Sequence, residues 1–181
     1  MRYAWEARLC CVPPAEVPLP TEFPGSLIWG GLSHGLHADW LRWRRVTHVV
    51  CCLGSRGRDG ANPDYVRAQE ARSPSSGIMY RDWCVNNHFD RVRFLSLFSY
   101  LTDVLRQEDC CVFVHCRSGK DRSAFTVYSL LRISLRMDDA TSRAALTQRR
   151  GTHGRALANL DERQDGPRAW LEQVLRRADE R

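Results

Sequence analysis

The chain has 181 residues, a formal net charge of +6 at pH 7 and a hydrophobic share of 43%. This length fits one domain with a sizeable core, and no stretch approaches the roughly 20 apolar residues that a bilayer-spanning helix needs. The basic excess suits an acidic partner. No basic run alternates with aromatic residues, however, so nucleic-acid binding is not expected.

Predicted strands and helices alternate along the chain. Residues 1–22 hold four of the eight prolines and show no periodicity, so we expect an irregular lead-in before a single domain over residues 23–178. Apolar runs predict strands at 27–29, 46–53, 78–85 and 110–114. Helical spacing of apolar residues predicts helices at 39–45, 92–105, 124–135, 137–150 and 166–178. This order predicts an α/β fold with a central, mainly parallel sheet flanked by helices.

The segment 115–123 reads HCRSGKDRS and joins the fourth predicted strand to the helix that follows it. A loop that opens a helix directs backbone N–H groups and the positive end of the helix dipole toward one point, which suits an anion such as phosphate. The same environment favours the thiolate of Cys116, the form that attacks. Arg122 has the planar fork that binds two phosphate oxygens, and Ser123 follows it, placed to hydrogen-bond the sulfur. The segment predicts a phosphate-ester hydrolase site.

The loop itself supplies the expected phosphate-binding set. These residues are Arg117, Ser118, Gly119, Lys120, Asp121 and Arg122. A nucleotide loop is not expected at 54–60, because its glycines lack the required spacing. No metal site is expected either, since the cysteines and histidines lack metal-ligand spacing.

Six of the eight cysteines fall in adjacent pairs, which bridge poorly because the ring is strained. These pairs are Cys10-Cys11, Cys51-Cys52 and Cys110-Cys111. Charged residues also interrupt any signal-peptide core at 1–14, so we expect a reducing, cytoplasmic or nuclear location. A further hypothesis is a reversible disulfide between Cys116 and one of Cys51, Cys52 and Cys111, which would shield Cys116 from irreversible oxidation.

With these residues in place, the sequence resembles the dual-specificity branch of the protein tyrosine phosphatases. The family signature H-C-x5-R-[ST] is met by His115, Cys116, Arg122 and Ser123. The stretch 23–50, which includes FPGSLIWGGL and VTHVV, is similar to the opening strands and helix of these domains. The resemblance implies a two-step reaction without a cofactor, in which the cysteine takes the phosphoryl group from phosphotyrosine, or from phosphoserine and phosphothreonine, and water then removes it.

The resemblance also implies an aspartate, about thirty residues before the cysteine, that protonates the leaving oxygen. Asp82 lies 34 residues before Cys116 and Asp90 lies 26 before it, while Asn86-Asn87, between them, cannot do this work. We favour Asp82 over Asp90. A third candidate is Asp121, inside the loop.

Two alternative functions stay open. With Asp121, the loop also resembles that of myotubularin-type phosphoinositide phosphatases, and the adjacent Lys120, together with Arg117, favours a substrate with more than one phosphate. The expected partner is therefore a phosphoprotein or a phosphoinositide. The other alternative is a phosphate-binding module with weak or no catalysis.

Overall fold

The computed structural model describes residues 14–35, 37–52, 77–82, 91–120, 122–147 and 167–179. The strands are β1 (Ala15–Val17), β2 (Ser26–Gly31), β3 (His48–Cys51), β4 (Met79–Asp82) and β5 (Cys111–Cys116). The helices are α1 (Leu32–Gly35), α2 (Ala38–Trp43), α3 (Arg91–Leu105), α4 (Arg122–Ile133), α5 (Asp139–Thr147) and α6 (Pro167–Asp179). None of these helices is long and apolar enough to cross a membrane.

The five strands form one sheet in the order β1-β2-β5-β3-β4. Strands β2 to β5 run parallel, and β1 pairs antiparallel with β2 at the edge. All six residues of the central strand β5 are buried, as expected for a parallel strand covered on both faces. The prediction of a central, mainly parallel sheet is confirmed. The carboxyl ends of its parallel strands lie side by side, which is where open α/β folds place their ligand sites.

Helices cover both faces of the sheet. On one face, α4 packs with α3 and α6 in an aromatic cluster, in which the ring centroids of Phe94 and Phe125 lie 5.8 Å apart and those of Phe94 and Trp170 lie 5.7 Å apart. On the other face, Trp40 of α2 contacts Phe113 of β5 at 5.1 Å. Burial of each such side chain contributes roughly 2–3 kcal/mol. Because α4 is buried from Ser123 to Leu131, its first turn is held firmly at the end of β5.

The structure corrects the expectation for residues 1–22. Strand β1 lies within this segment, where Ala15 pairs with Trp29 and Val17 with Leu27, and Val17 is buried. Three residues among prolines are too few to show a periodicity, and their pairing depends on the neighbouring strand. The sheet therefore begins before residue 23.

Several predicted boundaries also shift. The strand expected at 46–53 is His48–Cys51, and the one expected at 78–85 is Met79–Asp82, with residues 83–85 outside the described part. The helix expected at 39–45 ends at Trp43, because Arg45 takes a positive φ of 53°. The glycine-rich segment 54–60 lies outside the described residues.

Candidate active site

Strand β5 ends at Cys116 and helix α4 begins at Arg122, and residues 117–120 form the described part of the loop between them. This loop is the strand–loop–helix turn that the sequence predicted. Arg117 is exposed, whereas Ser118, Lys120 and Arg122 are half-buried. The N-terminus of a twelve-residue helix therefore stands directly beside the cysteine, where the N–H groups of its first turn and the helix dipole favour an anion.

Cys116 is 1% exposed, and its sulfur accepts two hydrogen bonds from the loop and the helix. The Gly119 N–H donates to Sγ at 3.3 Å, and the Ser123 hydroxyl donates to Sγ at 3.2 Å. Donors to a sulfur stabilise the thiolate more than the thiol, since the charged form is the stronger acceptor. The two donors are thus placed to stabilise a negative charge on the Cys116 sulfur.

The loop packs against the carboxyl end of β2. Gly119 has a positive φ of 77°, and a Cβ there would lie 2.7 Å from the carbonyl carbon of Gly30 and 2.9 Å from the nitrogen of Gly31. The Leu32 N–H also donates to the Arg117 carbonyl at 3.0 Å. Only glycine fits position 119, both for its backbone conformation and for this close approach.

His115 lies on the opposite face of β5 and is fully buried. Its ring stacks on Phe113 with centroids 5.5 Å apart, and a Cβ at Gly35 would lie 3.1 Å from Nε2. Burial lowers the pKa of His115 from 6.5 to about 4, although the nearby backbone of Cys116 partly opposes the shift. His115 is therefore neutral at physiological pH and packs between Phe113 and Gly35 without adding charge.

The predicted site residues are thus placed as follows. Cys116, Gly119 and Ser123 are brought into direct contact, and Arg122 opens the helix. Asp90 and Asp121 lie outside the described residues, and so does the side chain of Asp82.

The backbone position of Asp82 is nevertheless informative. Asp82 is the last residue of β4 and pairs with Cys51 of β3, which in turn pairs with His115 of β5. Two strand spacings separate it from β5, about 10 Å. Asp82 therefore lies at the carboxyl ends of the parallel strands, as the loop does.

Sequence reasoning missed the contribution of β2 and α1. The Gly30-Gly31 pair is present at the end of the predicted strand, but only the fold shows that the loop packs on it. Helix α1, which carries Gly35, has four residues, too few to show helical spacing. In the described part of the chain, no group of three His, Cys, Asp or Glu side chains is arranged to hold a metal ion.

Comparisons with known proteins show which solved structures share this fold. No protein-family model matches the sequence, and no curated protein matches it. Among solved structures, the kinase associated phosphatase KAP, determined with its catalytic-site cysteine changed to serine, has a TM-score of 0.60 at 14% identity, over 78% of this chain and 85% of that one. Human DUSP28 has a TM-score of 0.55 at 15% identity, over 93% of this chain and 97% of that one.

A third similar structure contains a ligand. A cysteine-to-serine form of TpbA from P. aeruginosa, in complex with phosphotyrosine, has a TM-score of 0.51 at 11% identity, over 88% of this chain and 94% of that one. At these identities the likeness concerns the fold. The chain therefore has the fold of the dual-specificity and protein tyrosine phosphatases, as the resemblance implied.

Proposed function

We propose that this chain is a cysteine-dependent phosphatase that hydrolyses phosphotyrosine in proteins, with phosphoserine and phosphothreonine as further substrates. One observation carries the proposal. The sulfur of Cys116 accepts hydrogen bonds from Gly119 and Ser123 at the N-terminus of α4, in the fold of known phosphatases. A buried structural cysteine needs no such set of donors.

The reaction follows from this geometry in two steps. The Cys116 thiolate attacks phosphorus, the S–P bond forms and the P–O bond to the leaving group breaks, while Arg122 and the loop N–H groups stabilise the charge on the phosphoryl oxygens. We assign the proton that the leaving oxygen receives to Asp82. Water then gives a proton to the Asp82 carboxylate and attacks phosphorus, so that a new P–O bond forms and the S–P bond breaks. The Ser123 hydroxyl, 3.2 Å from the sulfur, stabilises the departing thiolate.

The phosphotyrosine assignment is supported by a structure of the same fold. The TpbA complex contains phosphotyrosine and has a TM-score of 0.51 to this chain. The net charge of +6 suits a phosphorylated, acidic partner.

The second candidate substrate is a phosphoinositide. Arg117 is exposed and Lys120 is half-buried, and both belong to the loop that follows Cys116, where their positive charges suit a substrate with a second phosphate. Turnover of phosphotyrosine peptides and of inositol phospholipids, measured in parallel by phosphate release, separates the two. Arg117→Ala and Lys120→Ala lower lipid turnover more than peptide turnover if the lipid is the substrate.

The decisive experiment measures hydrolysis of a small aryl phosphate by purified protein. Cys116→Ser and Arg122→Lys are expected to abolish it. Cys110→Ser and Arg106→Lys are matched controls, because both residues lie outside the site, and they should retain activity. Full activity in Cys116→Ser contradicts the proposal, and no turnover by the unmodified protein favours a phosphate-binding module.

We also propose a cytoplasmic or nuclear location and a catalytic domain that extends from β1 to residue 178. The five cysteines in the described part of the chain form no disulfides with one another, and disulfide-free cysteines are typical of reducing compartments. Strand β1 belongs to the domain because it completes the sheet beside β2.

A further inference from the structure

Helix α3 exposes two apolar side chains in its first turns. Among the described residues four large apolar side chains are exposed, and two of them, Val92 at 76% and Leu95 at 40%, lie one turn apart at the start of α3. The side of α3 that faces the core is a separate set of residues, namely Phe94, Leu97, Phe98, Leu101, Val104 and Leu105. Packing within the fold therefore does not explain why Val92 and Leu95 are apolar, and adjacent exposed apolar side chains are typical of contact surfaces.

Arg91 adds a positive charge to this apolar pair. Residues three and four apart are neighbours on a helix surface, so Leu95 lies beside both Val92 and Arg91. Arg91 is exposed, and the first turn of α3 contains no acidic residue. A cation in the first turn opposes the helix dipole, so Arg91 does not stabilise the helix that carries it. We call Arg91, Val92 and Leu95 the α3 surface.

The α3 surface lies close to the catalytic loop. Phe94 of α3 stacks on Phe125 of α4 with ring centroids 5.8 Å apart, and Phe125 lies three residues after Arg122. The first turns of the two helices are therefore in contact, and packed helices have axes about 8–10 Å apart. An extended peptide advances about 3.4 Å per residue. A substrate residue about three positions from the phosphorylated one can therefore reach the α3 surface.

The charges of this region suit an acidic substrate segment. In the described part of the chain, the first turns of α3 and α4 contain Arg91, Arg93 and Arg122 and no acidic residue. Arg117 of the loop is exposed as well. An acidic side chain of the substrate is attracted by these cations, and an apolar one covers Val92 and Leu95.

A peptide segment fits the α3 surface better than a lipid bilayer does. Helices that lie in a membrane surface expose an apolar face along their length. The exposed apolar residues of α3 end at Leu95, and the next exposed positions on that side are Ser96 and Ser99. Two apolar side chains beside one arginine match the side chains of a few peptide residues.

We propose that the α3 surface binds the part of a phosphoprotein substrate that flanks the phosphorylated residue, and that it selects a segment with one apolar and one acidic residue. The proposal rests on the proposed phosphatase, because it concerns how the same site chooses its substrate. The α3 surface does not touch the phosphoryl group, so it lowers KM without changing the chemical step.

The test compares three phosphotyrosine peptides of equal length. One has glutamate and leucine about three and four residues before the phosphotyrosine, one has them about three and four residues after it, and the last has serine at all these positions. For the unmodified chain, KM for one of the first two peptides should be about tenfold lower than KM for the serine peptide, with kcat similar. That peptide is the preferred peptide.

Substitutions on the α3 surface should remove this preference. Val92→Ser, Leu95→Ser and Arg91→Gln are each expected to raise KM for the preferred peptide by roughly three- to tenfold and to leave kcat unchanged. Met79→Ser and Arg106→Gln are the matched controls. Met79 is exposed at the amino end of β4, and Arg106 follows the opposite end of α3, so both should leave KM unchanged.

Salt separates the charged contact from the apolar one. At about 0.5 M salt the difference between Arg91→Gln and the unmodified chain should disappear, because charges on exposed groups are screened. The effect of Leu95→Ser should persist, since an apolar contact is not screened. Thermal unfolding of each variant checks that it folds.

A small aryl phosphate does not reach the α3 surface, so all these variants should hydrolyse it like the unmodified chain. If it is hydrolysed but the three peptides have equal KM, or if the α3 variants leave KM unchanged, the docking surface is wrong and the phosphatase stands. Co-sedimentation with phosphatidylserine vesicles that Leu95→Ser abolishes, with peptide KM unchanged, assigns the surface to a lipid and overturns the proposal.

Peptide binding to Cys116→Ser, measured by calorimetry, repeats the comparison without turnover. This variant should bind the preferred peptide about tenfold more tightly than the serine peptide, and adding Leu95→Ser should remove the difference. If the unmodified chain hydrolyses nothing and this preference is still observed, the phosphatase is contradicted and the docking surface is supported. Equal binding of all three peptides overturns the docking surface.

Discussion

The hydroxyl of Ser123 lies 3.2 Å from the sulfur of Cys116 and 3.4 Å from the carbonyl oxygen of Gly30. Its single proton therefore has two alternative acceptors. A thiolate is the stronger acceptor, but a sulfur that carries a phosphoryl group is a weak one, so the proton is then free to move to Gly30. In the proposed mechanism, Ser123 therefore assists the sulfur specifically when it is charged, which is when it attacks and when it leaves.

This relationship predicts the effect of Ser123→Ala. Loss of a donor to a developing charge lowers turnover by on the order of 10²-fold, and because breakdown of the intermediate is slowed, phosphocysteine accumulates. Rapid-mixing kinetics should show a burst of released phenol followed by slow turnover. Ser129→Ala, which changes a buried serine further along the same helix, is the matched control and should leave the kinetics unchanged. Unaltered turnover in Ser123→Ala would falsify the assignment.

Gly119→Ala is predicted to abolish activity. The added Cβ meets backbone atoms of Gly30 and Gly31 at 2.7–2.9 Å, and neither can move without shifting β2 or the loop. The loop then moves away from Cys116, and its Gly119 N–H no longer reaches the sulfur. Aryl phosphate hydrolysis and the free energy of unfolding in urea should both fall.

Gly77→Ala separates the effect of backbone strain from the effect of steric overlap with β2. Gly77 also has a positive φ, 68°, but a Cβ there meets nothing within 4 Å. Only the backbone strain applies, about 1 kcal/mol, so this variant should lose a little stability and keep its activity. If Gly119→Ala also keeps its activity and loses only a little stability, the close approach of the loop to β2 is not required for activity.

The sequence predicts well those strands and helices that are long enough for their apolar residues to show a pattern. The apolar strand that ends at Cys116 and the helix that begins at Arg122 are visible in the sequence because the strand is buried along its whole length and the helix is buried from Ser123 to Leu131. Strand β1 and helix α1 are not, because three and four residues are too short to show a period. The contact of Gly119 with Gly30 joins residues far apart in the chain, so only the fold shows it.

Asp82→Asn is predicted to lower turnover of a phosphotyrosine peptide by roughly 10²–10⁴-fold, the usual contribution of a general acid. The reason is that the leaving oxygen then departs without a proton. The loss should be smaller for an aryl phosphate whose phenol is more acidic, since that phenolate needs less protonation. Asp90→Asn and Asp121→Asn are the comparison variants. If one of them shows this dependence on the leaving group and Asp82→Asn does not, that residue is the acid.

The buried His115 makes the stability of the fold depend on pH. Burial lowers the pKa of His115 from 6.5 to about 4 in the folded chain, so the unfolded chain takes up a proton first as the pH falls. Stability is therefore fully present above pH 6.5 and falls between pH 6.5 and about 4, by on the order of 3 kcal/mol in total. Urea unfolding at about pH 7.5 and about pH 4.5 measures this loss. His115→Asn should lose less stability over this interval than the unmodified chain, whereas the half-buried His48→Asn should lose as much, and an equal loss in all three would show that His115 is not the group that titrates.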